Sequence, residues 1–234
     1  MNLCIDEGNT ALKFAIFEGN KLLHSGIGVN DIQWHQVQKT IISTVVVSSN
    51  AIKWCEENST AFHLLSYKSK LPFSIKYSSP ETLGNDRLAA IAGATLHFPN
   101  QNTLVIVMGT CITYNFVDAE NCFWGGAISP GSKLRFKAMN QFTSRLPMIE
   151  WDGKLQSEFI GDSTHSSMIS GVSHGILHEI KGTIKSFEER FANLNIILTG
   201  GDTAFLVSQL KNNIFARPEL LLEGLNHILN HNDN

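Results

Sequence analysis

The residues best suited to chemistry fall in short polar turns. Asp6-Glu7-Gly8-Asn9-Thr10, with Lys13 a little further on, joins one apolar strand pattern to the next. A hairpin turn of this make-up points backbone N–H groups and a Thr hydroxyl into one concavity, and Gly8 lets a phosphate approach the backbone. Lys13 adds positive charge. Asp6, at the strand end, offers its carboxylate to Mg²⁺, which favours carboxylate and phosphate oxygens together. Val107-Met108-Gly109-Thr110, followed by Thr113, makes a second turn of the same kind. Thr199-Gly200-Gly201-Asp202 follows a short buried-strand pattern. Paired glycines entering a helix suit an adenosine or α-phosphate lying across the backbone. Each of these is by itself an ordinary turn; their order and common layout point to a nucleotide. Away from the turns, Asp86-Arg87 opens an Ala-rich segment. A carboxylate beside a guanidinium at a helix start should stay ionised at neutral pH.

The elements that must position these residues are legible in outline. Strand patterns run over Asn2 to Asp6, Leu12 to Phe17 and Lys21 to His24, a β-meander. Thr44 to Ser49 is β-branched and predicts a buried strand, as does Ala61 to Tyr67. Ala51 to Glu57 and Asp86 to His97 predict helices. The pattern then restarts with strands over Thr103 to Met108 and Ile112 to Val117. Later helices are expected after Pro130-Gly131 to about Leu146, over Thr164 to Phe191 as one long helix or two consecutive ones, and from Pro218 to Leu229. The strand–turn–strand unit thus occurs twice, at Ile5 to Phe17 and at Ile106 to Val117. Two similar halves around a shared cleft suit a nucleotide. The reading is an α/β chain of two domains, 1–102 and 103–234, divided in the polar Pro99-Asn100-Gln101-Asn102 stretch.

Composition narrows the partners. The 234 residues are 43% hydrophobic and 17% charged, with a formal net charge of −3 and no long Lys/Arg run, so no nucleic-acid partner is expected. No apolar run approaches the ~20 residues of a membrane span, and no basic, apolar leader opens the sequence. A cytoplasmic protein without a membrane partner is expected. The cysteines Cys4, Cys55, Cys111 and Cys122 lack metal-ligand spacing and read as small reduced thiols.

Taken together, the three turns resemble the phosphate-1, phosphate-2 and adenosine motifs of the actin, Hsp70 and sugar-kinase superfamily. Within it the chain resembles type III pantothenate kinases over nearly its full length. Asp6-x-Gly8-Asn9-Thr10-x-x-Lys13 resembles that family's ATP-binding opening. Gly84-Asn85-Asp86-Arg87 resembles its Gly-x-Asp-Arg substrate signature. Gly125-Gly126-Ala127-Ile128-Ser129-Pro130-Gly131 resembles its Gly-Gly-x-Ile-x-Pro-Gly segment, and Gly161-Asp162-Ser163-Thr164 with Gly171 a later substrate-side segment. The resemblance implies two ribonuclease H-like domains around a nucleotide cleft, and ATP-dependent phosphorylation of pantothenate, the first step of coenzyme A synthesis. It implies that Asp86 is the general base. Arg87 would bind the pantothenate carboxylate or orient Asp86, while Tyr77, Gly84 and Thr164 would contact pantothenate. ATP would lie on Asp6, Gly8, Asn9, Thr10, Lys13, Gly109, Thr110, Gly200 and Gly201, with Mg²⁺ on Asp6. A homodimer is implied as well. The family's monovalent-cation position, usually an Asp binding potassium or ammonium, is Val107 here, and Asn115 stands where the family often has Asp. A potassium site that is lost or rebuilt is therefore expected. A nucleotide-binding regulatory homologue and another small-molecule kinase are the alternative readings.

Overall fold

The computed structural model describes residues 1–29, 32, 37–58, 60–155, 158–203, 206, 209–210 and 214–232. They form two compact units, one of residues 1–103, 115–125 and 219–234, the other of residues 104–114 and 126–218. The hairpin at 115–125 and the C-terminal helix count with the first unit.

In the first unit, β1 (Asn2–Glu7), β2 (Leu12–Glu18), β3 (Lys21–Ile27), β4 (Lys39–Thr44) and β5 (His63–Leu64) form a sheet in the order β3-β2-β1-β4-β5. β1 pairs antiparallel with β2 and parallel with β4. Its apolar face buries Leu3, Ile5, Phe14, Ile16 and Ile42 against Ala51 and Cys55 of α1 (Asn50–Glu57). The β-branched run 44–49 is not the strand its composition suggests. β1 ends at Glu7, whose parallel partner is Thr44, so the ladder runs out there. Beyond it Val47 is exposed. Buried Glu7 instead gathers the run: its carboxylate accepts from Thr44 Oγ1 at 3.2 Å, from Ser49 Oγ, and from the Asn50 N–H at 2.8 Å. The strand expected over Ala61 to Tyr67 shortens to the two residues of β5.

β6 (Ser74–Ile75) pairs parallel with the start of β9 (Cys122–Pro130). α2 (Asn85–His97) is buried from Arg87 through Thr95, and α5 (Leu220–His231) packs against it. The helices cross so closely that a Cβ on Gly224 would lie 1.9 Å from the Ala89 carbonyl oxygen. Small residues permit that approach, and it fixes the axis of the helix that carries Asp86.

In the second sheet, β11 (Ile214–Ala216), β10 (Asn195–Gly200), β7 (Thr103–Met108), β8 (Cys111–Val117) and β9 are successive neighbours. α3 (Ser132–Gln141) and α4 (Thr164–Glu188) pack on each other. α4 begins with a capping box between Ser163 and Ser166. No helix among the described residues is long and apolar enough to cross a membrane.

Candidate active site

Asp6 sits at the centre of the first sheet. Its neighbours in register are Lys13 on β2 and Ser43 on β4. Ser43 Oγ donates to Asp6 Oδ1 at 2.9 Å. Burial pushes the Asp6 pKa up to about 6; the Ser43 hydrogen bond pulls it down, the charge of Asp86 pushes it up, and Lys13 pulls it down. The push of the Asp86 charge on Asp6 brings two carboxylates from distant parts of the sequence into one locality. A divalent cation would relieve their repulsion, and the Asp6 carboxylate is a hard oxygen donor of the kind Mg²⁺ takes. In the turn that follows, the Gly8 N–H donates to the Ala11 carbonyl at 3.0 Å, leaving Asn9 and Thr10 exposed.

Asp86 enters the first turn of α2, just past the N-cap Gly84. One carboxylate oxygen, Oδ1, accepts from the Arg87 N–H at 2.9 Å, so the side chain caps its own helix. Gly84 makes room for this: a Cβ there would lie 2.4 Å from Asp86 Oδ1. Burial raises the Asp86 pKa, opposed by the Arg87 N–H and the Arg87 charge. The ionising influence expected from Arg87 is present, but burial is the larger effect.

The Arg87 side chain turns away from Asp86. It is 5% exposed, and Nε donates to Asn115 Oδ1 at 2.6 Å. Its guanidinium carbon lies 5.5 Å from the Tyr77 ring centre and 5.6 Å from that of Phe123. Those two rings are nearly parallel, 5° apart in plane. Nη2 of Arg87 is buried and has no hydrogen-bond partner among the described residues. Gly125 completes this wall. At φ +98 it occupies the left-handed region, and a Cβ there would lie 2.8 Å from Tyr77. Tyr77, Gly84, Asp86 and Arg87, four of the residues expected to meet substrate, therefore belong to one unit.

In the second unit the other two turns meet. Gly200 has φ +105, and a Cβ on it would lie 2.1 Å from the Met108 carbonyl oxygen, so only glycine fits. The Asp202 N–H donates to that same carbonyl at 3.4 Å. At the N-terminus of α3, the Gly131 N–H donates to the Thr110 carbonyl at 3.0 Å, and Ser132 Oγ donates to Asp202 Oδ2 at 2.7 Å. Gly109, Thr110 and Gly201 remain exposed around this junction. Val107, on β7, is half-buried and brings no side-chain oxygen. Thr164, the first residue of α4, is exposed and borders a cavity of about 670 Å³ with Arg135, Met139, Met168 and Val172.

Ser43 is a partner that the sequence does not single out. Ser43 is one hydroxyl in the apolar run of β4 and gains meaning only once β1 and β4 are in register. Asn115 carried a signal as a departure from the family pattern, but its partner Arg87 was not foreseeable.

Two sheets with glycine-bearing turns at strand ends, one of them beside a pair of carboxylates, define an actin-like ATPase fold of the sugar-kinase type. Solved structures agree in fold. A chain from Campylobacter jejuni assigned to the Baf family of transcriptional activators matches with a TM-score of 0.65 at 22% identity, covering 99% of both chains. A protein from Listeria monocytogenes described as an N-acetylmannosamine kinase matches with a TM-score of 0.57 at 12% identity, covering 100% of this chain and 99% of that one. The family is given by sequence. The type III pantothenate kinase model matches residues 27–186. A type III pantothenate kinase of Christiangramia forsetii is 42% identical, covering 99% of each chain. Another, of Flavobacterium johnsoniae, is 41% identical over 96% of each. The chain belongs to the type III pantothenate kinase family.

Proposed function

We propose that this chain transfers the γ-phosphoryl group of ATP to the primary hydroxyl of pantothenate, giving 4′-phosphopantothenate and ADP at the entry to coenzyme A synthesis. The observation that carries this reading is the Gly84–Arg87 stretch. It presents a carboxylate and, beside it, a buried guanidinium with a hydrogen-bond donor unused among the described residues. Asp86 takes the hydroxyl proton as the oxygen attacks phosphorus. A base whose pKa burial has raised holds that proton better than an ordinary carboxylate does. Arg87 receives the pantothenate carboxylate on Nη2. Of the two roles open to Arg87, this one is favoured because its side chain hydrogen-bonds Asn115 and not Asp86. Tyr77 and Gly84 shape the same pocket, and Thr164 contacts pantothenate.

Asp6, Gly8, Asn9, Thr10, Lys13, Gly109, Thr110, Gly200 and Gly201 bind ATP. Mg²⁺, held by Asp6 and phosphate oxygens, supplies neutralisation of the charge on the phosphates. The chain acts as a cytoplasmic homodimer. With Val107 in place of an acidic ligand, its potassium site is lost or rebuilt. The regulatory alternative draws no support from the comparisons, since the Campylobacter chain at 22% identity shares the fold alone.

A coupled assay of ADP release, run with and without pantothenate, tests the proposal. Pantothenate-dependent ADP formation is the expected result. ATP binding without turnover would refute it, and turnover with sugars or acetate in place of pantothenate would select another kinase of the superfamily.

A further inference from the structure

Four elements of the second unit meet in a polar cluster that the proposed transfer leaves unused. Its hub is Glu179, in the middle of α4. One carboxylate oxygen, Oε1, accepts from the Tyr114 hydroxyl on β8 at 2.8 Å. The other, Oε2, accepts from Ser129 Oγ near the end of β9 at 3.1 Å, and from Nη2 of Arg135 on α3. Nη2 also donates to Ser129 Oγ at 3.0 Å, and Arg135 Nε donates to the Pro130 carbonyl at 2.8 Å. Burial alone would raise the Glu179 pKa, but hydrogen bonds from Arg135, Tyr114 and Ser129 hold it below the ordinary glutamate value. The Arg135 and Glu179 side chains are each partly exposed, and such a pair contributes little to stability by itself. Its geometry matters more, because it ties down the Ser129-Pro130-Gly131 corner. That corner rests on the Gly109-Thr110 turn: the Gly131 N–H donates to the Thr110 carbonyl at 3.0 Å, and a Cβ on Gly131 would lie 2.2 Å from the Gly109 carbonyl oxygen. A shift of the corner therefore moves the turn.

We propose that Glu179 is a positioning residue for ATP: through Arg135 it braces the Pro130-Gly131 corner, and the corner holds the Gly109-Thr110 turn in place for the phosphates. This rests on the reading that ATP lies on that turn. Without the carboxylate, Nη2 keeps only Ser129 Oγ, whose own hydroxyl has lost its acceptor, and the corner is free to drift. The turn must then be ordered at the expense of ATP binding. The loss precedes chemistry, so it belongs in KM for ATP and not in kcat. Glu179 and Arg135 act through the same contacts, so their effects are shared and not additive.

The test is equilibrium titration with Mg·ATP, beside steady-state kinetics and thermal melts, on the full-length wild type, Glu179→Gln, Arg135→Gln and the double variant. Each single variant should bind Mg·ATP about tenfold more weakly, the scale of coupling carried through contacting neighbours. In Glu179→Gln the loss should appear as KM for ATP with kcat little changed. The double variant should bind no more weakly than the poorer single one. Ile180→Val thins the buried face of the same helix without touching the cluster. It should melt lower yet bind Mg·ATP as the wild type does. A folded Glu179→Gln with wild-type affinity, additive losses in the double variant, or an equal loss of ATP in Ile180→Val would overturn the proposal. Should Glu179→Gln fail to fold, Tyr114→Phe deletes one donor and keeps the ring; it should weaken ATP binding to a smaller degree, and unchanged affinity would overturn the proposal. Thr110→Asp sets a like charge against the phosphates and should weaken ATP severely. If it does not, the reading that ATP lies on the turn is overturned, and the brace with it.

Discussion

Asp6→Asn should make the ligand-free protein more stable at neutral pH while impairing its use of Mg²⁺ and ATP. The Asp6 carboxyl has a pKa of about 6 in the folded chain against an ordinary 3.8, chiefly because it is buried. A raised carboxylate pKa means that the folded state holds the proton more tightly than the unfolded state. Stability therefore falls as pH rises from about 4 to about 6, and the full penalty is present above that window. At about 1.4 kcal/mol per pH unit of difference, the penalty is about 3 kcal/mol. An asparagine has no charge to bury and can still accept from Ser43 Oγ. For a chain of this size each kcal/mol moves Tm by roughly 2–4 °C, so the variant should melt several degrees above wild type at pH 8. The gap should close as pH falls towards 4. The assay is thermal denaturation of both proteins without nucleotide across pH 4–8, followed by Mg·ATP titration of each. In wild type, Mg·ATP affinity should climb as pH rises through about 6, because binding requires the ionised carboxylate. A variant less stable than wild type at pH 8, or a gap indifferent to pH, would refute the argument that Asp6 is held against its own desolvation.

Further expectations follow from the close contacts. Gly84→Ala forces a Cβ to within 2.4 Å of Asp86 Oδ1, so it should displace the carboxylate and cut kcat by about 10²-fold or more, with ATP affinity little changed by equilibrium binding. Gly200→Ala, at φ +105 and 2.1 Å from the Met108 carbonyl, should cost about 2 kcal/mol or more in stability and weaken ATP binding. Thermal melts and nucleotide titration together check it. Turnover in KCl should equal turnover in NaCl at the same ionic strength, and clear potassium activation would contradict the reading of Val107.

How much of this was legible in the sequence depended on range. β1, β2, α1, α2, β7 and β8 were readable because their patterns are local: alternation or apolar runs for strands, alanine-rich spacing for α2. The Gly84–Arg87 cluster was readable for the same reason, since the glycine, the acid and the helix start are adjacent. The β-branched run at 44–49 misled because composition outweighed register; where β4 ends is decided by where β1 ends, at Glu7. Ser43 beside Asp6 and Asn115 beside Arg87 depend on pairings 37 and 28 residues apart. No window of the sequence contains them. The return of α5 to the first unit rests on Gly224 fitting against Ala89, a packing match that no terminal sequence pattern discloses.

The most direct test of the account is the activity of Asp86→Asn beside wild type, with Mg·ATP binding and melting temperature measured on both. The substitution removes basicity at nearly constant shape. Pantothenate-dependent ADP formation should fall by about 10²–10⁴-fold while the variant stays folded and still binds nucleotide. A folded Asp86→Asn enzyme that turns over pantothenate at the wild-type rate would contradict it.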